Sequence, residues 1–455
     1  MTGNGDWRVG VDELHASTRG RVLLPGDDGY DASRRVFNAM IDRHPALILR
    51  CENADDVVQG VEFARSHGLP VSVKGGGHSV AGSAICDGGV MLDMAGMDGI
   101  VIDPAQRTAV AGPGLTLGQF DSASAAHGLA TPFGVVSMTG IAGLTLGGGL
   151  GWLNGHYGLA CDNLLEVDIV NADGRVRTAN AEQHEDLFWA VRGGGGNFGV
   201  VVSFTYRLHP VTTVLAGSLT YPSDQAAAAL SHYHQFVTAS PDELSTAASV
   251  WLDSARKPVV SIAVCWSGES EAGKSVLLPL REFGPPDTDE IREMPYVALQ
   301  QASDAGFPLG RQHYWKASFL RQLPAEAIDI ILSSVAQVPS PHTGVGLQQM
   351  TGVASRVDPA ATAFAHRAEQ YDFLVLSQWD SPAESRENVA WTQGLFAAMR
   401  PFLESGVYMN NLGDEGPDRV RDAYGANYRR LAEIKAHYDP DNLFRFNPNI
   451  RSVRE

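Results

Sequence analysis

Three glycine clusters mark where this chain can do chemistry. The first runs Lys74-Gly75-Gly76-Gly77-His78-Ser79-Val80-Ala81-Gly82. The second spans 140–151, with Gly140, Gly143 and Gly147 to Gly149, and the third reads Gly193-Gly194-Gly195-Gly196-Asn197-Phe198-Gly199. Consecutive glycines reach backbone conformations closed to other residues and let main chain approach a ligand closely. Runs of backbone N–H groups in such turns bind anionic groups. Three separated cradles in one half of the chain predict one long ligand threaded past all of them. His78, at the end of a triple-glycine turn, is presented where backbone meets a flat or anionic ligand.

Two other readings of these residues fail. Gly194-x-Gly196-x-x-Gly199 matches the dinucleotide fingerprint letter for letter, but that fingerprint needs a strand before it and a helix after it. Here helical DLFWAVR precedes and strand-like VVVSFTYRL follows. No GxxxxGK[ST] occurs, which excludes a P-loop. His232 and His234 lie two apart in a helical stretch, on different faces, so they make no metal pair, and the far-spaced Cys51, Cys86, Cys161 and Cys265 suggest neither zinc nor a disulfide framework.

The elements that position the clusters are short. ALILRC (46–51) reads as a strand, followed by a helix capped by Asn53 or Asp55 and stopped by Gly68. PVSV (70–73) is a buried strand that runs into the first cluster. GVMLDM, GIVIDP and TAVAGPG supply further strands, and a helix is predicted over about 116–126. LLEVDIVNADGRV (164–176) reads as two strands around an Asp173-Gly174 turn. From about 211 to 404 longer helices such as DQAAAALSHYHQFV alternate with strands such as PVVSIAVCW and YDFLVLSQW. The tail from 405 is strand-like VYMNNL and then one helix with Val420, Tyr424, Leu431 and Ile434 on one face. The class is α+β.

Composition narrows the partner. The 455 residues are 44% hydrophobic and 19% charged, which excludes collagen-like and disordered chains. A net charge of -18 repels phosphate backbones and anionic lipid, so a small molecule is expected rather than nucleic acid or a membrane. Glycine makes up 49 residues, roughly 11% where about 7% is usual. The start carries neither a basic nor an apolar signal region, and no Asn-x-Ser/Thr acceptor occurs, which leads to the expectation of a cytoplasmic protein.

Five ordered motifs, KGGGHSVAG with GGVMLDM, GIAGLTLGGGLGWLNGHYGLACDN, LFWAVRGGGGNFGVV and YGANYRRLAEIKAHYDPDNLFRF, resemble the berberine bridge enzyme-like branch of the vanillyl-alcohol oxidase (PCMH-type) FAD-linked oxidoreductases. The likeness covers roughly 40–210 and 405–450 and is nearest to bacterial members with one covalent link to FAD. It implies a PCMH-type FAD-binding domain from 1–208 and 405–455, with an inserted antiparallel-sheet substrate domain at 209–404. It further implies that His78 is joined through its imidazole to the 8α-methyl of FAD. Gly75, Gly76, Gly77, Ser79, Gly140, Gly143 and Thr145 would hold the pyrophosphate, Phe198, Gly199 and Val200 would lie along the adenosine end, and Asp162 and Asn163 belong to the same shell.

The departures are informative. Where many members carry a second attaching Cys, this chain has Val136, so one covalent bond is expected. The family position that gates oxygen is Thr139, small enough to admit O2 and able to hydrogen-bond the flavin edge. The family's Tyr-x-Asn-Tyr reads Tyr408-Met409-Asn410-Asn411, so Tyr408 and Asn410 remain as catalytic candidates without the second tyrosine. Gln349 and Tyr314 are candidates for the far wall of the substrate site. The expected reaction is oxidation of an activated alcohol or amine carbon with O2 as acceptor. The alternative is a flavin-dependent oxygenase of secondary metabolism that holds an oxygen adduct near Thr139. Sugar, alkaloid and polyketide substrates stay open.

Overall fold

The computed structural model describes residues 7–452. A four-stranded sheet runs in the order Arg21–Leu23, Leu47–Arg50, Val90–Asp93, Val71–Lys74, its first pair antiparallel and the others parallel. The helix Ala54–His67 begins where the Asn53 side chain accepts from the Asp56 N–H, and it ends at Gly68 with φ of 64°. Asn53, not Asp55, is therefore the cap. Lys74 ends the strand that delivers the first glycine cluster.

A five-stranded antiparallel sheet follows: Ile100–Asp103, Thr108–Ala111, Val200–Arg207, Leu164–Val170, Val176–Asn180. Helix Leu117–Ala125 opens on a reciprocal Thr116–Gln119 capping box. The third glycine cluster sits between helix Glu185–Val191 and strand Val200–Arg207, the reverse of a dinucleotide-binding turn.

The eight-stranded antiparallel sheet takes all its strands from between Thr213 and Trp379. Period-two alternation gives it two unlike faces. Val260, Ile262 and Val264, with Phe373 and Val375, pack against helices Ala226–Val237, Ala325–Val335 and Ser385–Met399. Ser261, Ala263, Asp372 and Leu374, the residues between, face a cavity.

The tail departs from its predicted form twice. VYMNNL is not a strand: Met409–Asn411 is a single 3-10 turn, because Asn410 donates to the Leu144 carbonyl and the Tyr408 hydroxyl instead of extending along a sheet. The predicted final helix is two, Pro417–Tyr424 and Tyr428–Tyr438, broken at Gly425 with φ of 51°. Tyr424, Leu431 and Ile434 still share one core, with Val420 packed against it. Fully buried Lys435 donates to the carbonyls of Asn197 and Phe444 and to Asp439, which ties the tail to the third glycine cluster. No described helix is long and apolar enough to cross a membrane.

Candidate active site

A cavity of about 890 Å³ lies between the glycine clusters and the large sheet. The first two clusters meet main chain to main chain. A Cβ on Gly76 would stand 2.4 Å from the Gly140 nitrogen, and one on Gly140 would stand 2.3 Å from the Gly76 nitrogen. Only glycine at both positions allows this approach. Gly75, Gly76, Gly77, Ser79, Gly140 and Gly143 line the cavity, and Gly195, Gly196, Gly199 and Val200 bring the third cluster to it.

His78 stacks on Phe37 with ring centres 3.9 Å apart and planes 15° apart. Its Nε2 is buried and finds no partner in the protein. Burial lowers its pKa to about 4, so the ring is neutral at physiological pH. His313 covers the other face of Phe37 at 4.1 Å, both its nitrogens buried and unpartnered, its pKa lowered by burial to about 3.

Tyr408 reaches the cavity from the tail. Its hydroxyl accepts from the N–H groups of Gly149 and Leu150, each at 3.0 Å, and from the Asn410 amide at 2.8 Å. Burial raises its pKa against those three donors and wins. Asp372, which sequence reasoning missed, lines the same cavity. One of its oxygens accepts from Asn411, the other is buried without a partner, and burial raises the carboxyl to about 7. Its signal was a lone acid in an apolar strand run, YDFLVLSQW.

Thr139, Tyr408, Asn410 and His78 thus share one cavity with the glycines, while six predicted site residues lie off it. Gly143 and Thr145 are two positions apart on helix Ile141–Leu146, about 200° around its axis. Thr145 accordingly turns inward to the Tyr206 hydroxyl at 2.8 Å. Phe198 packs in the hydrophobic core while Gly199 and Val200 face the cavity. Asp162 is bound bidentately by buried Arg367 at 2.7 and 2.8 Å, and Asn163 donates to the Tyr157 and Leu159 carbonyls. Gln349 is off by one position: it accepts from Thr246 and donates to the Val237 carbonyl, and neighbouring Gln348 faces the cavity. Tyr314 is off by the same step, accepting from Gln393 while Trp315 lines the cavity.

The architecture has known counterparts. A family model of an FAD binding domain matches residues 45–180, and one described as berberine and berberine like matches 407–451. An FAD-linked oxidoreductase of Dictyostelium discoideum is 32% identical over 449 residues, 98% of this chain and 97% of its own. (R)-6-hydroxynicotine oxidase of Paenarthrobacter nicotinovorans is 32% identical over 448 residues, 95% of this chain and 97% of its own. The crystal structure of 6-hydroxy-D-nicotine oxidase from Arthrobacter nicotinovorans superposes with a TM-score of 0.89 at 31% identity, over 95% of this chain and 98% of that one. FAD fits the residues present: an elongated cavity crossed by three glycine cradles, with an unpartnered neutral imidazole on its wall. Likeness that begins in the glycine motifs and extends through both walls of the cavity makes this chain an enzyme of the berberine bridge enzyme-like, PCMH-type family of FAD-linked oxidoreductases.

Proposed function

We propose that the protein is an oxidase of a small molecule, acting on a carbon that bears a hydroxyl or amino group, with O2 as electron acceptor and FAD attached covalently through His78. Bound FAD supplies a hydride acceptor and a path for two electrons to O2, which leaves as hydrogen peroxide. One observation carries the reading: His78 and Asp372, each with a buried polar atom that no protein group meets, line a single cavity.

Attachment needs a neutral imidazole, and burial keeps His78 neutral. The N–H groups of Gly75, Gly76, Gly77, Ser79, Gly140 and Gly143 are the cavity's means of holding a pyrophosphate. Val136 lines the cavity where a second attachment would require a cysteine, and none of the four cysteines does. Asp372 takes the proton of the substrate's O–H or N–H, with a pKa of about 7 suited to a base at neutral pH. Tyr408 stays a phenol. Its oxygen is fixed by three donors, so its own O–H is the hydrogen it has left to offer a substrate. Asn410 positions that phenol.

Flavin fluorescence on a denaturing gel tests the attachment: it stays with the wild-type band and disappears in His78→Ala. Flavin that runs off the wild-type band overturns the covalent link. Peroxide released one for one with product supports the oxidase. The cavity-facing Thr139 favours a second reading as an oxygenase, which predicts product carrying oxygen from O2 and no equivalent peroxide.

A further inference from the structure

Two helices, one tied to the glycine clusters and one to the large sheet, meet at a fully buried acid. Helix Leu117–Ala125 lies within the matched FAD binding domain. Its start is bonded to the second cluster: the Leu117 N–H donates to the Thr139 carbonyl, and the Ile141 N–H donates to the Leu115 carbonyl. Helix Tyr296–Gln301 follows strand Arg292–Pro295, which pairs with Thr213–Tyr221 of the large sheet. Ala298 and Leu299 in that helix, and Ala302 and Ser303 after it, line the cavity. Asp121 of the first helix and Gln300 of the second are each 1% exposed, and the Gln300 amide donates to Asp121 Oδ2 at 3.1 Å.

That bond leaves two acceptors without a donor. Asp121 Oδ1 and Gln300 Oε1 are both buried and unpartnered. A carboxylate beside a primary amide makes one hydrogen bond and leaves two idle oxygens, whereas a protonated carboxyl can close a ring of two, N–H to one oxygen and O–H back to the amide oxygen. Burying a charge or leaving polar atoms unmet is costly, so both terms favour the proton. Among the described residues Gln300 is the one polar side chain that meets this carboxyl, and burial raises it to about 7 against that single bond. The titratable groups facing it are Tyr296 and, beyond it, Cys265 of strand Pro258–Trp266, both pushed up by burial and therefore neutral. Asp103 and His127 near the first helix, and Arg292 and Glu293 before the second, are exposed.

We propose that Asp121 and Gln300 form a neutral acid–amide clamp between the glycine-cluster side and the sheet side of the cavity, closed while Asp121 holds its proton and released as rising pH removes it. A carboxyl raised from 3.8 to about 7 keeps its proton in the closed clamp and loses it when the helices part. Parting therefore grows easier as pH climbs from about 4 to about 7, and levels off above. A second tie does not depend on that proton: Asp304 accepts from the N–H and hydroxyl of Ser137, and it holds the same two segments when the clamp is open.

Two measurements on the flavin-loaded full chain test the clamp. In infrared spectra at about pH 6, Asp121→Asn should lose a protonated-carboxyl band that Asp372→Asn retains. If no band is lost, Asp121 is ionised and the clamp is overturned. Hydrogen exchange of 117–125 and 296–301 reads the release, with helix Ala226–Val237, on the far face of the sheet, as internal reference. Asparagine can make the same two-bond ring with Gln300 but cannot ionise, so Asp121→Asn is the locked form. Between about pH 5 and pH 8, exchange of both helices relative to the reference should rise at least about tenfold more in wild type than in Asp121→Asn. Gln300→Leu, which removes the amide and leaves the acid, should exchange faster than wild type already at about pH 5. A wild-type ratio to the reference that stays constant with pH, equal responses in wild type and Asp121→Asn, or full protection in Gln300→Leu would each overturn the proposal.

Discussion

Asn411 donates its side-chain amide to one carboxyl oxygen of Asp372, and the other oxygen stays buried at the cavity wall with no partner. Burial favours the neutral acid, the single amide bond favours the carboxylate, and burial prevails to leave the group at about 7. Burial therefore sets the ionisation of Asp372, and Asn411 pulls against it.

A rate that depends on Asp372 as base should rise with pH through about 7 and level off above it. Asn411→Leu removes the one donor that supports the carboxylate, so the rise should move to higher pH. Asp372→Asn should lose about 10²- to 10⁴-fold in kcat, the usual worth of a positioned base. The pH profile of kcat/KM across the three proteins is the check, and a flat profile in wild type removes Asp372 from the role.

Stability gives an independent reading of the same group. A carboxyl whose folded pKa is raised from 3.8 to about 7 binds more protons folded than unfolded in that window. Wild-type stability should therefore fall, relative to Asp372→Asn, as pH climbs from about 4 to about 7. Melting temperatures of both proteins across that range should diverge in favour of the variant. Parallel curves would mean that the carboxyl titrates normally.

How much of this was legible in the sequence depended on whether one residue or two were needed. The glycine clusters stood out because a run of glycine has few other uses, and His78 because it is adjacent to one; the structure brings both to one cavity. The pairing of helix Ala54–His67 with Asn53 and Gly68 followed from local caps. Gln349 and Tyr314 each fell one place from the residue that faces the cavity, since an apolar strand run shows its period and not which side the ligand occupies. The stack of His78, Phe37 and His313 joins residues far apart in the chain, and nothing local announces it.

Tyr408→Phe strips the acceptor from three donors at once, the Gly149 and Leu150 N–H groups and the Asn410 amide. Each buried donor left unmet costs about 1–3 kcal/mol. The variant should melt several degrees lower while keeping its flavin, because the second glycine cluster loses two of its bonds to the tail and keeps the one from Asn410 to the Leu144 carbonyl. Calorimetry with flavin quantitation checks it, and an unchanged melting temperature would show that those donors find other acceptors.

Two glycines of the proposed cofactor cradle should respond oppositely to the same substitution. Gly76→Ala places a methyl group 2.4 Å from the Gly140 nitrogen, with main chain on both sides and no flexible side chain to yield. The first and second clusters must separate, and the cradle that depends on their contact should fail to retain FAD. Gly143→Ala meets no atom within 4 Å and sits on a helix that alanine favours. It should keep both fold and flavin, and a fall in flavin content with an unchanged melting temperature of the flavin-free protein would overturn that by showing that the methyl group takes space the pyrophosphate needs. Flavin-to-protein absorbance ratios of the two purified variants, each beside its apoprotein melting curve, separate loss of the cradle's shape from loss of its free volume.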